Sequence, residues 1–179
     1  MAKKLSPTAF TKAVMRSFMA DSGLEPRLLG PSRFRVLSAQ TGRVDFELDI
    51  HKDHTNRLNT IHGGTLASLV DLGGSLAVAS TGRFATGVTT DLNVTYLSPG
   101  GRPGDVLKGT AVFGKTLAFT TVTFTNSKGQ LAARGSHTKF AFPSGQRDDH
   151  SLTSTRYVTG TMGEAGPYVA PPELAEDVD

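Results

Sequence analysis

The stretch Asn56-Arg-Leu-Asn-Thr-Ile-His-Gly-Gly-Thr-Leu-Ala-Ser-Leu-Val-Asp71 lies near the middle of the chain and reads as a loop entering a helix. Asn59 or Thr60 is placed to cap that helix, and His62, Gly63 and Gly64 then fall in its first turn. No strong turn signal follows until Thr81-Gly82, so the helix is expected to run to about Ser80. At about 100° per residue, Leu66, Leu69, Val70, Gly73, Leu76 and Ala77 form one apolar stripe that should face a core. The opposite side carries Gly64, Ala67, Asp71, Gly74 and Ser75, which makes Asp71 a lone carboxylate on a face otherwise made of small residues.

Glycine in a helix costs roughly 1 kcal/mol relative to alanine, so Gly63, Gly64, Gly73 and Gly74 are there for something other than helicity. Two explanations fit: close packing without chemistry, or a helix N-terminus whose bare N–H groups receive an oxyanion. His62 and Asp71 are nine residues apart. On one helix they therefore point about 180° apart and sit roughly 13 Å from each other along the axis. They cannot meet within one chain. A site that used both would take His62 from one protomer and Asp71 from another, which implies a symmetric dimer with two composite sites.

The 179-residue length suits a single domain with a sizeable core, and the lack of cysteine excludes disulfides, a thiol nucleophile and cysteine-ligated metal. No apolar run is long enough to span a bilayer. Residues 1–142 carry 17 Lys and Arg against 9 Asp and Glu, whereas 143–179 carry 2 against 7. A basic body invites an anionic partner, and because its positive residues are scattered and match no nucleic-acid motif, a phosphorylated small molecule is favoured over nucleic acid.

Around the central helix the chain alternates in character. Phe10, Ala13, Val14, Ser17 and Phe18 recur at helical spacing after Ser6-Pro7, in a basic segment that reads either as a domain helix or as a mitochondrial presequence. Strands are expected at Arg33–Leu37 and Val44–Ile50, with Val44, Phe46, Leu48 and Ile50 on one face, followed by a polar loop from His51 to Thr55. A further strand is expected at Gly87–Leu97. Its Val88, Thr90, Leu92, Val94 and Tyr96 face one way, and Thr89, Asp91, Asn93 and Thr95 the other, unusually polar for a strand inside a sheet. Three more strands, 105–113, 116–125 and 130–142, are joined by turns at Gly114-Lys115 and Asn126-Ser127-Lys128-Gly129. One long helix followed by a run of antiparallel strands indicates an α+β fold, the helix lying against one curved sheet. From Pro143 onward the chain is rich in Ser, Thr, Gly, Pro and acid, and reads as a largely disordered tail after a domain of residues 1–142.

Asn56-Arg-Leu-Asn-Thr-Ile-His-Gly-Gly64, Leu69-Val-Asp71, Val88-Thr-Thr-Asp-Leu-Asn-Val-Thr-Tyr-Leu-Ser-Pro99, Gly114-Lys-Thr-Leu-Ala-Phe-Thr120 and His137-Thr-Lys139, in that order, resemble the hotdog-fold acyl-CoA thioesterases of the PaaI-like family. The resemblance covers roughly residues 8–142 and leaves out the tail. It implies a long central helix wrapped by an antiparallel sheet, and a homodimer, often doubled to a tetramer, in which two sheets join and the long helices lie antiparallel. It implies hydrolysis of medium- to long-chain fatty acyl-CoA, with an aryl-CoA thioesterase and a non-catalytic acyl-CoA sensor as the rival readings. Asp71 would act as general base or nucleophile, and the Gly63 N–H would receive the oxyanion. Asn56 and His62 would hold the thioester or the water, and Thr89, where the closest relatives have Ser, would orient that water. Coenzyme A would lie along Tyr96, Leu97, Ser98, Pro99 and Gly100 and the hairpin Gly114, Lys115, Thr116 and Leu117, with His137 and Lys139 as further contacts. Coenzyme A is here part of the substrate; no metal or separate cofactor is implied, and the compartment is mitochondrial or cytoplasmic.

Overall fold

Ser6 opens the first helix, its hydroxyl accepting the Ala9 N–H at 3.2 Å while Pro7 takes the first helical position. This helix, α1 (Pro7–Asp21), buries Phe10, Ala13, Val14 and Ser17, so its apolar stripe belongs to the domain. The computed structural model describes residues 4–114 and 119–140 together with Tyr168, Ala170 and Leu174. A short helix that the sequence reading missed, α2 (Glu25–Leu29), follows; five residues are too few to show periodicity.

β1 (Phe34–Gln40) and β2 (Arg43–Asp49) form a hairpin in which Gly42 takes a φ of 80°. Val44, Phe46, Leu48 and Ile50 are all buried, as their alternation predicts. The expected polar loop at His51–Thr55 instead holds a turn of 3₁₀ helix, Lys52–His54, around a fully buried histidine. His54 Nδ1 accepts the His51 N–H at 2.9 Å, and Nε2 donates to the Leu28 carbonyl at 2.7 Å. Both ring nitrogens serve the backbone, which ties α2 to the loop.

The central helix, α3 (Gly63–Ala79), starts later than the caps at Asn59 or Thr60 would give. Asn59 sits at a left-handed φ of 59°, and Asn56 organises the loop by accepting the N–H groups of Leu58 and Thr60 at 2.9 and 3.3 Å. His62 is the cap: its backbone is extended and its Nδ1 accepts the Gly64 N–H at 2.8 Å. The C-terminus falls where expected, with Ser80 as cap.

β3 (Val88–Tyr96), β4 (Val106–Phe113), β5 (Phe119–Thr125) and β6 (Leu131–Phe140) complete an antiparallel six-stranded sheet in the order β1-β2-β4-β5-β6-β3. The expected turn residue Gly114 bonds across to the Phe119 carbonyl at 2.7 Å, and residues 115–118 lie outside the described part. α3 crosses one face of the sheet, and Leu66, Leu69 and Leu76 share a core with Phe46, Leu48, Val122 and Phe124. β3 is an edge strand, which explains its polarity more simply than an interior position would. A β-bulge between Thr89 and Asp91 makes Thr90 the extra residue and reverses the alternation there. Thr89 pairs with Lys139 and thus faces α3, whereas the sequence pattern had assigned it to the opposite face with Asp91.

Of the tail, Tyr168, Ala170 and Leu174 are described, and they are built into the body. Tyr168 stacks edge-on to Phe10 at 5.6 Å and donates its hydroxyl to the Ser80 carbonyl at 3.2 Å, while Ala170 and Leu174 join Leu5, Val14 and Phe84 in a second apolar cluster. The segment after residue 142, expected to be a largely disordered tail, thus packs on the body at these three residues. The rest of it lies outside the described residues.

Close approach is what the glycines provide. Gly109 is cross-strand to Phe46, and a Cβ there would overlap the ring; Gly73 on α3 meets the same ring from the other side, 3.0 Å from an added Cβ. Burying each Leu or Val of α3 contributes about 1.5–3 kcal/mol, against roughly 1 kcal/mol lost at each helical glycine, so packing outweighs propensity. Gly109→Ala is expected to destabilise the protein by about 1–3 kcal/mol through overpacking. Gly23→Ala, where nothing lies within 4 Å of the added carbon, should change stability by less than about 0.5 kcal/mol in the same urea titration.

Candidate active site

Asp71 leaves α3 at its middle, on the side facing β3 and β6. The bulge at Thr90 brings the Thr89 hydroxyl to Asp71 Oδ1 at 2.9 Å. From β6, His137 Nε2 approaches the same oxygen at 3.2 Å and Lys139 Nζ at 3.6 Å. Thr89 Oγ1 also lies 2.9 Å from His137 Nε2, and Lys139 donates to Ser75 Oγ at 2.8 Å. The contacts of Thr89, His137 and Lys139 with Asp71 all meet at Oδ1, and the Asp71 side chain is 48% exposed. The carboxylate is thus held from beneath and open above.

The resemblance assigned His137 and Lys139 to coenzyme A. In the structure both are buried, at 1% and 6% exposure, and approach Asp71 from inside. Alternation in β6 explains this: His137 and Lys139 share the helix-facing side. Gly74 makes room, since a Cβ there would overlap both His137 Nδ1 and Thr120 Oγ1. Ser75, which sequence reasoning did not name as a site residue, stands four positions after Asp71 on the same helix face. That spacing was the available signal.

Burial pushes the His137 pKa down to about 4, assisted by the Lys139 charge and opposed by Asp71. At neutral pH the ring is therefore uncharged. Its Nε2 carries the proton toward Asp71 and Thr89, leaving Nδ1 as a buried acceptor without a partner among the described residues. Burial likewise lowers the Lys139 pKa, and Asp71 pulls it back.

The other expected groups gather at the start of α3. Gly63 is the first helical residue, so its N–H has no intrahelical acceptor. Tyr96 covers it, donating its hydroxyl to the Gly63 carbonyl at 2.9 Å. His62, with Nδ1 engaged as cap, presents Nε2 as the ring's remaining polar atom. Asn56 donates to Thr60 Oγ1 at 3.1 Å and caps its own loop.

Within one chain these groups form two separate clusters. Gly63 and Asp71 are eight residues apart on α3, about 12 Å along the axis. Thr89 and Tyr96, at opposite ends of β3, are roughly 23 Å apart. The expected coenzyme A segments divide in the same way. Tyr96, Leu97, Ser98, Pro99 and Gly100 lie where β3 ends and β4 begins, while Gly114 lies at the far end of β4. Lys115, Thr116 and Leu117 are outside the described residues. Ser98 donates to the Leu131 carbonyl at 2.9 Å, and Gly100 is buried against Ile61. Among the described residues no group of His, Asp and Glu is arranged to hold a metal ion.

A helix laid on an antiparallel sheet, with a carboxylate at mid-helix and a bare N–H at its start, is the arrangement of the hotdog thioesterases. The family model described as thioesterase superfamily matches residues 58–133. Human acyl-coenzyme A thioesterase 13 is 43% identical over 116 residues, covering 63% of this chain and 81% of the human protein. Among solved structures, zebrafish thioesterase superfamily member 2 superposes with a TM-score of 0.66 at 39% identity, covering 75% of this chain and 97% of that one. A Streptococcus mutans protein bound to acetyl CoA superposes with a TM-score of 0.55 at 29% identity, covering 61% of this chain and 88% of its own. The chain belongs to the thioesterase superfamily, and so is a thioester hydrolase.

The depressed pKa of His137 has a consequence for stability. Between pH 6.5 and about 4 the unfolded chain binds the proton that the folded chain refuses, so stability falls as pH falls through this window and the contribution of the neutral His137 is gone below about 4. The amount is on the order of 3 kcal/mol. Urea titrations across this range should show the loss, and His137→Gln should flatten it. His54, whose pKa burial also lowers, contributes to the part that remains.

Proposed function

We propose that the protein hydrolyses fatty acyl-CoA of medium to long chain, acting as a homodimer whose two active sites are each built from both protomers. The observation that carries this is the division of the machinery: Asp71 with Thr89 at one end of β3, Gly63 with Tyr96 at the other. β3 is an edge strand with Val88, Tyr96 and Leu97 more than half exposed. A two-fold axis through its middle would join two sheets into one and set Thr89 of one protomer beside Tyr96 of the other. Asp71 would then face Gly63 across the interface, and the coenzyme-binding segments would meet in the same way. Relatives named or crystallised as acyl-CoA proteins support the carrier. The exposed Leu58, Tyr96 and Leu97 around Gly63 support an apolar acyl group.

In this site Asp71, fixed through Oδ1, takes a proton from water at Oδ2. The water oxygen attacks the thioester carbonyl carbon, and the Gly63 N–H, at the positive end of α3, holds the oxyanion. Collapse of the tetrahedral intermediate breaks the C–S bond, giving the fatty acid and the thiol of coenzyme A, which receives the proton.

Gly63→Pro is an incisive variant, because proline is favoured at the first helical position and His62 already has the extended backbone a following proline requires. It removes one N–H and should cost about 10²- to 10³-fold in kcat. Asp71→Ala should lower turnover about 10²- to 10⁴-fold with the dimer intact by sedimentation. Mixing the two inactive variants and allowing subunits to exchange should restore about a quarter of wild-type activity, since half of the dimers then hold one unaltered site. No recovery would refute shared sites. Thiol release from short, long and aromatic acyl-CoAs fixes the acyl class: an aromatic maximum would replace fatty acyl by aryl, and binding without release would indicate a sensor.

A further inference from the structure

We infer that His54 is a positioning residue for hydrolysis: its buried ring sets the place of the carbonyl that holds the His62 N–H, and so aims the neighbouring Gly63 N–H at the oxyanion. The inference rests on the thioesterase reading above, in which Gly63 is the oxyanion donor, and adds a residue that touches neither substrate nor water.

The contacts begin in the core. His54 is fully buried, and both ring nitrogens are spent on backbone: Nδ1 accepts the His51 N–H at 2.9 Å and Nε2 donates to the Leu28 carbonyl at 2.7 Å. Leu28 lies in the last turn of α2, where carbonyls lack intrahelical donors, so the ring supplies what that short helix cannot. Burial lowers the His54 pKa, and the uncharged ring offers the one donor and one acceptor that these two partners require. A leucine would fill the same space and supply neither. The 3₁₀ turn Lys52–His54 is thereby pinned both within itself and to α2.

What the pinned turn presents is the His54 carbonyl. It accepts the His62 N–H at 2.8 Å and the Thr65 hydroxyl at 3.1 Å, which occupies both of its lone pairs. His62 and Thr65 stand on either side of Gly63 and Gly64, so one oxygen anchors the whole first turn of α3. The peptide that carries the Gly63 N–H is then held from two directions. Before it stands the His54 carbonyl on the His62 N–H; after it stands the Tyr96 hydroxyl on the Gly63 carbonyl. An oxyanion donor acts through its aim, and a misplacement of about 1 Å can cost on the order of 10²-fold in rate. The ring of His54 thus reaches the reacting centre through three successive links: turn, carbonyl and helix start.

Two substitutions divide the functions of the ring. His54→Asn keeps an acceptor near the Nδ1 position for the His51 N–H and gives up the bond to Leu28. His54→Gln places an N–H near the Nε2 position and gives up the acceptor. The asparagine variant should keep kcat within about threefold of wild type, and the glutamine variant should lower kcat about 10- to 10²-fold with KM within about twofold. Adding His54→Gln to Gly63→Pro, where the aimed N–H is already gone, should cost less than about twofold further. In ¹H–¹⁵N spectra the Gly63 amide signal should move in His54→Gln and hold its place in His54→Asn. Additive losses in the double variant, equal losses of kcat in the two single variants, a loss confined to KM, or an unmoved Gly63 signal in both overturns the proposal. If the glutamine variant does not fold, His54→Asn decides: retained kcat supports the proposal, and a loss of about tenfold or more overturns it. Absence of thiol release by the wild type from every acyl-CoA brings down the thioesterase reading and this proposal together. An active wild type with additive losses overturns the proposal alone.

Discussion

How near a helix can lie to a sheet is set by what stands between their backbones, and in this protein four missing Cβ atoms set it. Gly73 and Gly109 receive the Phe46 ring from two sides, Gly135 receives Val70, and Gly74 admits His137 and Thr120. With side chains at those positions α3 would ride higher, and Asp71 would lose contact with β6 and β3. The same glycines that weaken the helix as an isolated segment therefore determine the geometry of its carboxylate. Protein interiors are dense enough that a change of one methyl group at such a position is felt at the next.

The second determinant is electrostatic. A lysine and a histidine are enclosed beneath one half-exposed carboxylate, and the three groups can coexist there because only two charges do. His137 is uncharged at neutral pH, so Lys139 and Asp71 face each other without a second cation between them. Ser75 Oγ accepts a hydrogen bond from Lys139 at 2.8 Å, beside the contact with Asp71. Removing one member of such a pair leaves the other charge buried and uncompensated, which is more costly than removing both.

Much of this was legible in the sequence. The apolar stripe of α3, the alternation in β2 and the cap at Ser6 follow from periodicities of 3.6 and 2 and from side-chain chemistry, and those are local properties. What could not be read was non-local. The bulge at Thr90 depends on the register of β3 against β6, and it alone decides that Thr89 faces Asp71. The burial of His137 and Lys139 depends on which face of β6 the helix covers, and residue type argued the other way. The cap at His62 was hidden because Asn59 and Thr60 are better cap formers by type, yet the loop closed by Asn56 uses them elsewhere. The separation of His62 from Asp71 was legible, since it needs only the rise of a helix.

The position of Tyr168 bears on the order in which the chain acquires its structure. Leu5 donates to the Tyr168 carbonyl at 2.9 Å, and Arg16 reaches the Leu174 carbonyl across 158 residues of sequence. The cluster around Phe10 thus joins residues 5–14 and 168–174 to Ala79 and Phe84 at the end of α3 and just beyond it. During synthesis α1 leaves the ribosome well before Tyr168 and Leu174 are made, so Phe10 has Phe84 as a partner earlier than Tyr168. Closing so long a loop is entropically costly and slow to reward, whereas the β-hairpins and α3 can assemble from neighbours. Low contact order thus favours the hairpins and α3 as the early unit of folding, with the docking of α1 on Tyr168 and Leu174 following.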